Sequence, residues 1–311
     1  MNTPVAPSLT SLLGFGCGRL NGGSDKATSL RLIHAALDQG IRYFDTAPPY
    51  GLGASEAVLG EALKGRQEDV TVATKAGLAR PASPGLMQKA RAVVKPLARW
   101  VPGLRQAVLK GMARRAPAGN FDAGFIAQSF ETSLRQLQRE RVDCLLLHEA
   151  QPHDTLAPLQ ALLDRYVANG QLGAYGSSTG EPMNQLVRFG AVSQYRCPAP
   201  GAQWTPVDPE DVLHGALRFV APAIGPAMVR DPQLKARLAS LLPAGANPAS
   251  ATGSLALAYA LARFDRRLLI STHQPQRLAT TLEQVRHITA SADWQPAMSA
   301  LHGAFKRAPA P

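Results

Sequence analysis

The sequence predicts an α/β chain that closes into a (β/α)8 barrel of parallel strands, each followed by a helix. Three observations support this prediction. Short apolar segments alternate with helical patterns along most of the chain, and there are eight such segments. Most of them are uninterrupted apolar runs, as expected for strands covered on both faces. A length of 311 residues suits one such barrel, so we predict a single domain over residues 1–311.

The predicted strands share a high content of apolar residues, and the predicted helices repeat apolar residues every three or four positions. The strands are residues 11–18, 41–45, 70–74, 142–148, 172–177, 191–195, 217–221 and 267–271. The helices are residues 25–40, 54–65, 121–140, 155–170, 253–264 and 274–288, with less regular patterns near 181–190 and 208–215.

One long insertion, residues 78–120, interrupts the alternation between the third strand and its helix. The net charge of the chain is +11, but residues 70–121 contain ten Lys or Arg and no Asp or Glu. This leaves 23 basic and 22 acidic residues elsewhere, so the rest of the chain is nearly neutral. Charge confined to one segment argues against a nucleic-acid-binding protein, which would need a basic face along the backbone of its ligand.

Several other classes of protein are not indicated. No run of 18 uncharged apolar residues suggests a membrane span, and the first residues lack the pattern of a signal peptide. Three scattered cysteines, Cys17, Cys144 and Cys197, are too few for a disulfide framework, so we expect a cytoplasmic setting. Residues 148–153, HEAQPH, resemble a zinc motif only loosely, since the second histidine is one position too far on, and no metal site is expected.

Four polar residues lie where predicted strands end, which is the face of such a barrel that carries chemistry. Asp45 ends the second strand, Tyr50 follows on its loop, Lys75 follows the third strand, and His148 ends the fourth. A lysine in apolar surroundings needs a partner, and Asp45 is the nearest carboxylate. An ammonium beside Tyr50 is expected to lower the pKa of the phenol from about 10 toward neutrality.

A tyrosine of this kind can donate a proton to a carbonyl oxygen that becomes an alkoxide, while His148 orients the same oxygen. Each residue alone also has an ordinary structural explanation: a loop cap for Asp45, a pocket aromatic for Tyr50, a solvated charge for Lys75 and a core imidazole for His148. Their joint occurrence on successive strands favours a catalytic group.

The motifs GIRYFDTAPPYG (40–51), SEAVLGEAL (55–63), ATKAG (73–77), SLRQLQRERVDCLLLHE (133–149) and GQLGAYGSS (170–178) occur in the order and spacing of a known family. Over about residues 11–290 the chain resembles the aldo-keto reductases, and its sequence around Tyr50 is most similar to that of bacterial aldose-dehydrogenase-like members. The resemblance implies a TIM barrel, a nicotinamide cofactor, and a catalytic tetrad of Tyr50, Lys75, Asp45 and His148.

The resemblance also implies the reaction. The expected protein is an NAD(P)-dependent oxidoreductase that interconverts an aldehyde, ketone or aldose with its alcohol or lactone, with Tyr50 as general acid and base. A non-catalytic regulator that binds the nicotinamide cofactor on the same fold is the alternative. In the family, the loop at 78–120 borders the substrate pocket at the C-terminal face, so we expect a basic lid that attracts an anionic substrate. A solvated loop and contact with a membrane surface are the other interpretations.

The cofactor contacts implied by the resemblance fall near the ends of the first, fifth, sixth and eighth strands. Arg277 stands where the family's arginine meets the 2′-phosphate of NADP, so NADP is expected, with NAD as the second choice. Ser178 and Ser271 stand where the family usually has an asparagine and a lysine. The implied cofactor-binding residues are Gly16, Cys17, Ser177, Ser178, Gln194, Ser271, Thr272 and Arg277.

Overall fold

The computed structural model describes residues 9–20, 25–66, 69–81, 119–154, 156–205 and 210–307. In these residues eight parallel strands pair in chain order, and the first strand pairs with the last to close the sheet. The predicted (β/α)8 TIM barrel is therefore confirmed. The strands are β1 (Leu13–Gly16), β2 (Tyr43–Asp45), β3 (Thr71–Ala76), β4 (Val142–His148), β5 (Leu172–Ser178), β6 (Val192–Arg196), β7 (Val212–His214) and β8 (Arg267–Ile270).

Helices form the outer layer, and short 3-10 turns occupy Leu9–Leu12, Tyr50–Gly53 and Met183–Gln185. Those in the described residues are α1 (Lys26–Asp38), α2 (Ser55–Ala62), α3 (Ala123–Leu137), α4 (Ala157–Ala168), α5 (Ala216–Phe219), α6 (Ala221–Arg230), α7 (Pro232–Ala239), α8 (Thr252–Phe264), α9 (Pro275–Ala290) and α10 (Trp294–Lys306). None of these helices combines the length and the apolar character that a membrane span requires.

The pleat of the strands separates two hydrophobic layers. Side chains on one face pack with the helices in the main core, and those on the other face fill the barrel. The residues that fill the barrel are Tyr43, Ala73, Cys144, Leu146, Val192, Val212 and Leu269. Since side chains alternate along a strand, a residue two positions further on points inward at the C-terminal rim. This rule brings polar side chains from β2, β3, β4, β6 and β7 to one end of the barrel.

The seventh strand was misplaced by the sequence analysis. Residues 217–221 were predicted as a strand, but they belong to the end of α5 and the start of α6, and β7 lies within residues 208–215, where a helix was expected. Only two apolar residues, Val212 and Leu213, mark β7 in the sequence, and the longer apolar segment at 217–221 was assigned as the strand in its place. The helical spacing of the buried residues Ala216, Val220 and Ile224 was the signal that distinguishes this segment from a strand.

The predictions for the other helices and for the insertion can be compared with the structure only in part. Residues 181–190 contain a 3-10 turn in place of a full helix, and helices α6, α7 and α10 were not predicted. Of the insertion at 78–120, residues 82–118 lie outside the described residues, so its role as a basic lid remains a prediction.

The close approach of β5 to β6 makes Gly176 sensitive to substitution. Gly176 on β5 pairs with Val192 on β6, and a Cβ at Gly176 would lie 1.8 Å from the carbonyl oxygen of Val192. We therefore expect Gly176→Ala to lower the free energy of unfolding by about 1–3 kcal/mol, measured by urea titration, because the clash can be relieved only by shifting backbone.

Gly303→Ala is the matched control. Gly303 lies within α10, and the nearest atom to an added Cβ is the end of the flexible Arg307 side chain. Alanine there is expected to be neutral or to stabilise by up to about 1 kcal/mol. Equal denaturation midpoints for the two variants would show that the β5–β6 approach is not a constraint.

Candidate active site

The centre of the site is a buried ion pair between two neighbouring strands. The ammonium Nζ of Lys75 on β3 donates to Asp45 Oδ2 at 2.5 Å and to the carbonyl oxygen of Thr46 at 3.0 Å. The side chains of Lys75 and Asp45 are only 1% and 5% exposed. The parallel pairing of β2 with β3 places both residues at the same rim, which explains why residues thirty positions apart meet.

A hydrogen-bonded chain extends this pair across the barrel mouth. Gln194 on β6 donates through Nε2 to Asp45 Oδ2 at 2.8 Å, and its Oε1 accepts from the hydroxyl of Ser178 at 2.5 Å. Two donors, an ammonium and an amide, thus converge on one oxygen of Asp45. The orientation of Ser178 is fixed in turn, since its hydroxyl hydrogen is used within the chain.

Tyr50 lies on the 3-10 turn that follows β2. Its ring centroid is 5.0 Å from the Lys75 ammonium and 5.7 Å from the His148 ring, which meets it edge to face at 87°. The turn needs a glycine after Tyr50, because Gly51 has φ 60° and a Cβ there would lie 2.1 Å from the carbonyl oxygen of Leu20. The structure thus brings together Asp45, Tyr50, Lys75 and His148.

Burial raises the pKa of the Tyr50 phenol above its ordinary value, although the charge of Lys75 opposes this. The expectation that Lys75 would bring this pKa toward neutrality is therefore wrong, because the sequence does not reveal how fully the ring is buried. At neutral pH the phenol keeps its proton, which is the form that a proton donor needs.

Lys75 likewise keeps its proton, and therefore its positive charge, at neutral pH. Burial alone would lower its pKa, but the Asp45 carboxylate and Tyr50 more than offset this, and the pKa lies above its ordinary value. Removing either charge of such a pair would leave the other buried without compensation.

His148 is a neutral imidazole. Burial, the Lys75 charge and the neighbouring His214 lower the pKa of His148 to about 3. Its Nδ1 is buried and has no hydrogen-bond partner among the described residues. A neutral ring can present one donor and one acceptor, which suits a group that orients an uncharged carbonyl oxygen.

A cavity of about 960 Å³ opens beside these groups. Its size is at the upper end of the range for small-molecule sites. Tyr50, Asp45 and His148 line one part of it. Of the predicted cofactor-binding residues, the cavity wall includes Gly16, Ser178, Gln194, Ser271, Thr272 and Arg277.

The two remaining predicted cofactor residues lie behind this wall. Cys17 is buried in the main core, and its thiol points to the carbonyl oxygen of Phe15. Ser177 is buried beside Ser178, and its hydroxyl has no hydrogen-bond partner among the described residues.

The residues of the cavity fit a nicotinamide dinucleotide. The Ser178–Gln194 pair in the cavity wall offers polar groups of the kind that bind a carboxamide. At the other end, Gln274 precedes α9 and its side chain caps no backbone N–H, so first-turn amides of the helix are available to an anion. Arg277 on the same helix adds a cation.

Three of the polar residues that the sequence did not indicate lie close to the reacting groups or below them. His214 ends β7, lines the cavity and donates through Nε2 to the carbonyl oxygen of Thr179 at 2.9 Å, and it was missed because β7 was misplaced. Glu149, next to His148, lines the cavity as well. Glu56 is fully buried below the site, and the only sequence signal was its position on the apolar face of α2.

Glu56 links the end of β3 to the turn that carries Tyr50. Its carboxylate accepts a hydrogen bond from Thr74 Oγ1 at 2.5 Å, beside Lys75, and pairs with the guanidinium of Arg80. Arg80 also donates to the carbonyl oxygen of Gly53, in the turn that carries Tyr50, at 2.8 Å. The end of β3 is thereby fixed against the Tyr50 turn.

Comparison with known proteins gives a consistent set of relatives. Residues 12–192 match the family model described as Aldo/keto reductase family. The aldo-keto reductase YhdN of Bacillus subtilis is 30% identical over 178 residues, which are 57% of this chain and 44% of that protein. The D-threo-aldose 1-dehydrogenase of a Pseudomonas species is 32% identical over 186 residues, which are 57% of this chain and 53% of that protein.

A 6-dehydroglucose reductase of Agrobacterium fabrum is 30% identical over 166 residues, which are 52% of this chain and 46% of that protein. The chain thus spans about half the length of these curated relatives. Among solved structures, the holo form of an aldo-keto reductase from Bacillus halodurans aligns with a TM-score of 0.60 over 93% of this chain and 91% of that chain. At 18% identity this likeness concerns the fold alone.

The lowered pKa of His148 predicts a pH-dependent contribution to stability. Between about pH 6.5 and pH 3 the unfolded chain binds a proton at this residue and the folded chain does not. Stability should therefore fall as the pH falls through this window, by up to about 1.4 kcal/mol per pH unit from this group. We expect the unfolding free energy of His148→Gln to fall less steeply than that of the wild type between pH 6 and pH 4. Parallel curves would contradict the assignment.

For the Glu56–Arg80 pair below the site, we expect that removing one partner lowers the stability more than removing both. Arg80→Met should lower the free energy of unfolding by about 3 kcal/mol, because Glu56 is left buried without its cation. Adding Glu56→Met should recover part of this loss. The control is Lys26→Met, which breaks the exposed Lys26–Glu61 pair and should cost less than about 1 kcal/mol. A double variant that is less stable than Arg80→Met alone would refute the interpretation.

Proposed function

Since the chain belongs to the aldo/keto reductase family, we propose that it is an NAD(P)-dependent oxidoreductase that interconverts a carbonyl compound with its alcohol, or an aldose with its lactone. The observation that carries the proposal is the buried ammonium of Lys75, held by Asp45 and 5.0 Å from the ring centroid of Tyr50. A phenol placed beside a fixed positive charge is suited to give up its proton during a reaction and to take it back.

When bound, the nicotinamide cofactor supplies or accepts the hydride. In the reduction, Tyr50 transfers its proton to the carbonyl oxygen as that oxygen gains negative charge. The phenolate that remains is stabilised by Lys75, whose charge is already in place and needs no reorganisation. His148, which is neutral, donates a hydrogen bond that orients the carbonyl. In the oxidation the same groups work in reverse, with the phenolate as the base.

The raised pKa of Tyr50 and the position of Lys75 are complementary in this mechanism. Burial keeps the phenol protonated before the reaction, so the donor is loaded at neutral pH. Lys75 then lowers the energy of the phenolate only when the proton leaves. Charge stabilisation that is stronger in the transition state than in the ground state is what accelerates a reaction.

We place the nicotinamide carboxamide near Ser177, Ser178 and Gln194, and the adenosine end near Ser271, Thr272 and Arg277. NADP is the proposed cofactor, because Arg277 offers a guanidinium that could pair with a 2′-phosphate, and NAD is the alternative. Relatives named D-threo-aldose 1-dehydrogenase and 6-dehydroglucose reductase favour a small, sugar-like carbonyl substrate.

The test is Tyr50→Phe. We expect kcat for reduction of an aldehyde panel with NADPH to fall by about 10²–10⁴, because the variant lacks the proton donor. The Kd for NADPH, measured by quenching of protein fluorescence, should change less than about threefold, since the ring and its packing remain.

Tyr166→Phe serves as the control. Tyr166 lies on α4, outside the cavity, where it packs against Phe130. It should leave both kcat and Kd unchanged. Full turnover by Tyr50→Phe would refute the assigned proton donor. If the wild type binds NADPH tightly but reduces and oxidises nothing, the alternative of a cofactor-binding regulator would replace the enzyme.

A further inference from the structure

Glu149 holds an unusual backbone conformation beside the reacting groups. It directly follows His148 at the end of β4 and has φ 60°, in the left-handed region that non-glycine residues rarely occupy. Such a conformation costs about 1 kcal/mol or more and persists only where the surrounding structure enforces it. Residues of this kind are often found at functional sites, so the contacts of Glu149 are informative.

Four hydrogen bonds hold Glu149 in place, one of them from Gln151 Nε2 to its carbonyl oxygen at 3.0 Å. Its backbone N–H donates to the carbonyl oxygen of Ser178 at 2.8 Å. Its carboxylate accepts from the backbone N–H of Gly180 at 2.7 Å through Oε1, and from Thr179 Oγ1 at 2.9 Å through Oε2. Each carboxylate oxygen has two lone pairs, so both oxygens keep capacity for a further donor.

The carboxylate belongs to the cavity. Glu149, Thr179 and Gly180 all line it, together with Tyr50 and His148. The negative charge of Glu149 also contributes to the raised pKa of Tyr50. A fixed anion therefore lies within electrostatic reach of the atom that would receive the proton.

Apart from Asp45, which Lys75 neutralises, the charged residues of the cavity wall fall into two groups according to the strand that they follow. The arginines of the wall, Arg19, Arg218 and Arg277, belong to the segments that follow β1, β7 and β8. The segment after β4, beside the reacting groups, carries the carboxylate of Glu149. The cationic side suits the phosphates of a dinucleotide, and the side next to His148 disfavours an anion.

We propose that Glu149 is a specificity-determining residue that selects carbonyl substrates with a hydroxyl group next to the carbonyl and disfavours those with a carboxylate there. The inference rests on the proposed function and narrows its substrate class. A hydroxyl can donate to the free positions of the carboxylate, in a charge-assisted hydrogen bond. A second carboxylate would meet a like charge in the cavity. Within the described cavity this reverses the expectation of an anionic substrate.

The experiment compares three small aldehydes with the cofactor-loaded enzyme. Glyceraldehyde carries a hydroxyl next to the carbonyl, glyoxylate carries a carboxylate, and propanal carries neither. In Glu149→Gln, kcat/KM should fall for glyceraldehyde and rise for glyoxylate, so that their ratio changes by about tenfold or more. The change should appear mainly in KM, because Tyr50, Lys75 and His148 are intact. Propanal should change little. Each comparison uses one substrate with two proteins, so the hydration of the aldehyde cancels.

Two further variants make the result specific. Glu149→Gly removes the charge and suits the left-handed backbone, so a shared effect with Glu149→Gln separates charge from strain. Glu181→Gln is the matched control, because Glu181 lies in the loop just after Gly180, outside the cavity, and pairs with Arg196 at 3.8 Å. An unchanged glyoxylate-to-glyceraldehyde ratio in both Glu149 variants, or an equal change in Glu181→Gln, would overturn the proposal.

Ligand binding separates this proposal from the proposed function. The Kd of glyoxylate and of glyceraldehyde is measured by fluorescence with NADPH present. If no variant turns over any aldehyde but the Kd preference shifts in Glu149→Gln, the specificity role stands and the oxidoreductase is refuted. If turnover is normal and neither KM nor Kd shifts, the oxidoreductase stands and the role of Glu149 is refuted.

Discussion

The site depends on one interaction, the buried ion pair of Lys75 and Asp45. Both charges are almost fully removed from solvent, and an ion pair in such a place contributes little net stability by itself. The contribution that we propose for it is functional. The carboxylate holds an ammonium beside the Tyr50 ring, and a further donor, Gln194, occupies the same Asp45 oxygen. A charge fixed in advance can stabilise a phenolate without reorganising at the moment of reaction.

The barrel geometry explains how distant residues share this centre. Inward-facing positions alternate along each strand, and below the rim they are filled by apolar side chains such as Leu146 and Val192. Two positions further on, the same faces carry His148 and Gln194, at the mouth. The polar site is therefore the topmost interior layer of the barrel, supported by a hydrophobic layer beneath it. Glu56 and Arg80 add a second buried ionic contact that fixes the Tyr50 turn against the end of β3.

Much of this arrangement could be predicted from the sequence, because it follows from strand ends. Asp45, Lys75 and His148 each end or follow an apolar run, and such runs are visible in a single chain. His214 has the same structural position, but only Val212 and Leu213 precede it as an apolar run, and the longer apolar segment at 217–221 was taken for the strand. The direction of the Tyr50 pKa was mispredicted for a different reason. A neighbouring cation can be inferred from strand order, whereas the desolvation that outweighs it depends on packing from the whole barrel.

The backbone conformation of Glu149, like the direction of the Tyr50 pKa, could not be predicted from the sequence. In a sequence, a glutamate after a strand end is expected to be an ordinary solvated charge. Only the positive φ of Glu149 and its hydrogen bonds with Thr179 and Gly180 show that it is fixed. Held there, it adds negative charge near the Tyr50 phenol, whose pKa is raised mainly by burial. Glu149 therefore adds only a small part to the retention of the proton, and its larger effect would be on the charge of the substrate that enters the cavity. A substrate hydroxyl bound to Glu149 would contribute to substrate binding, whereas the proton transfer would depend on Tyr50, Lys75 and His148.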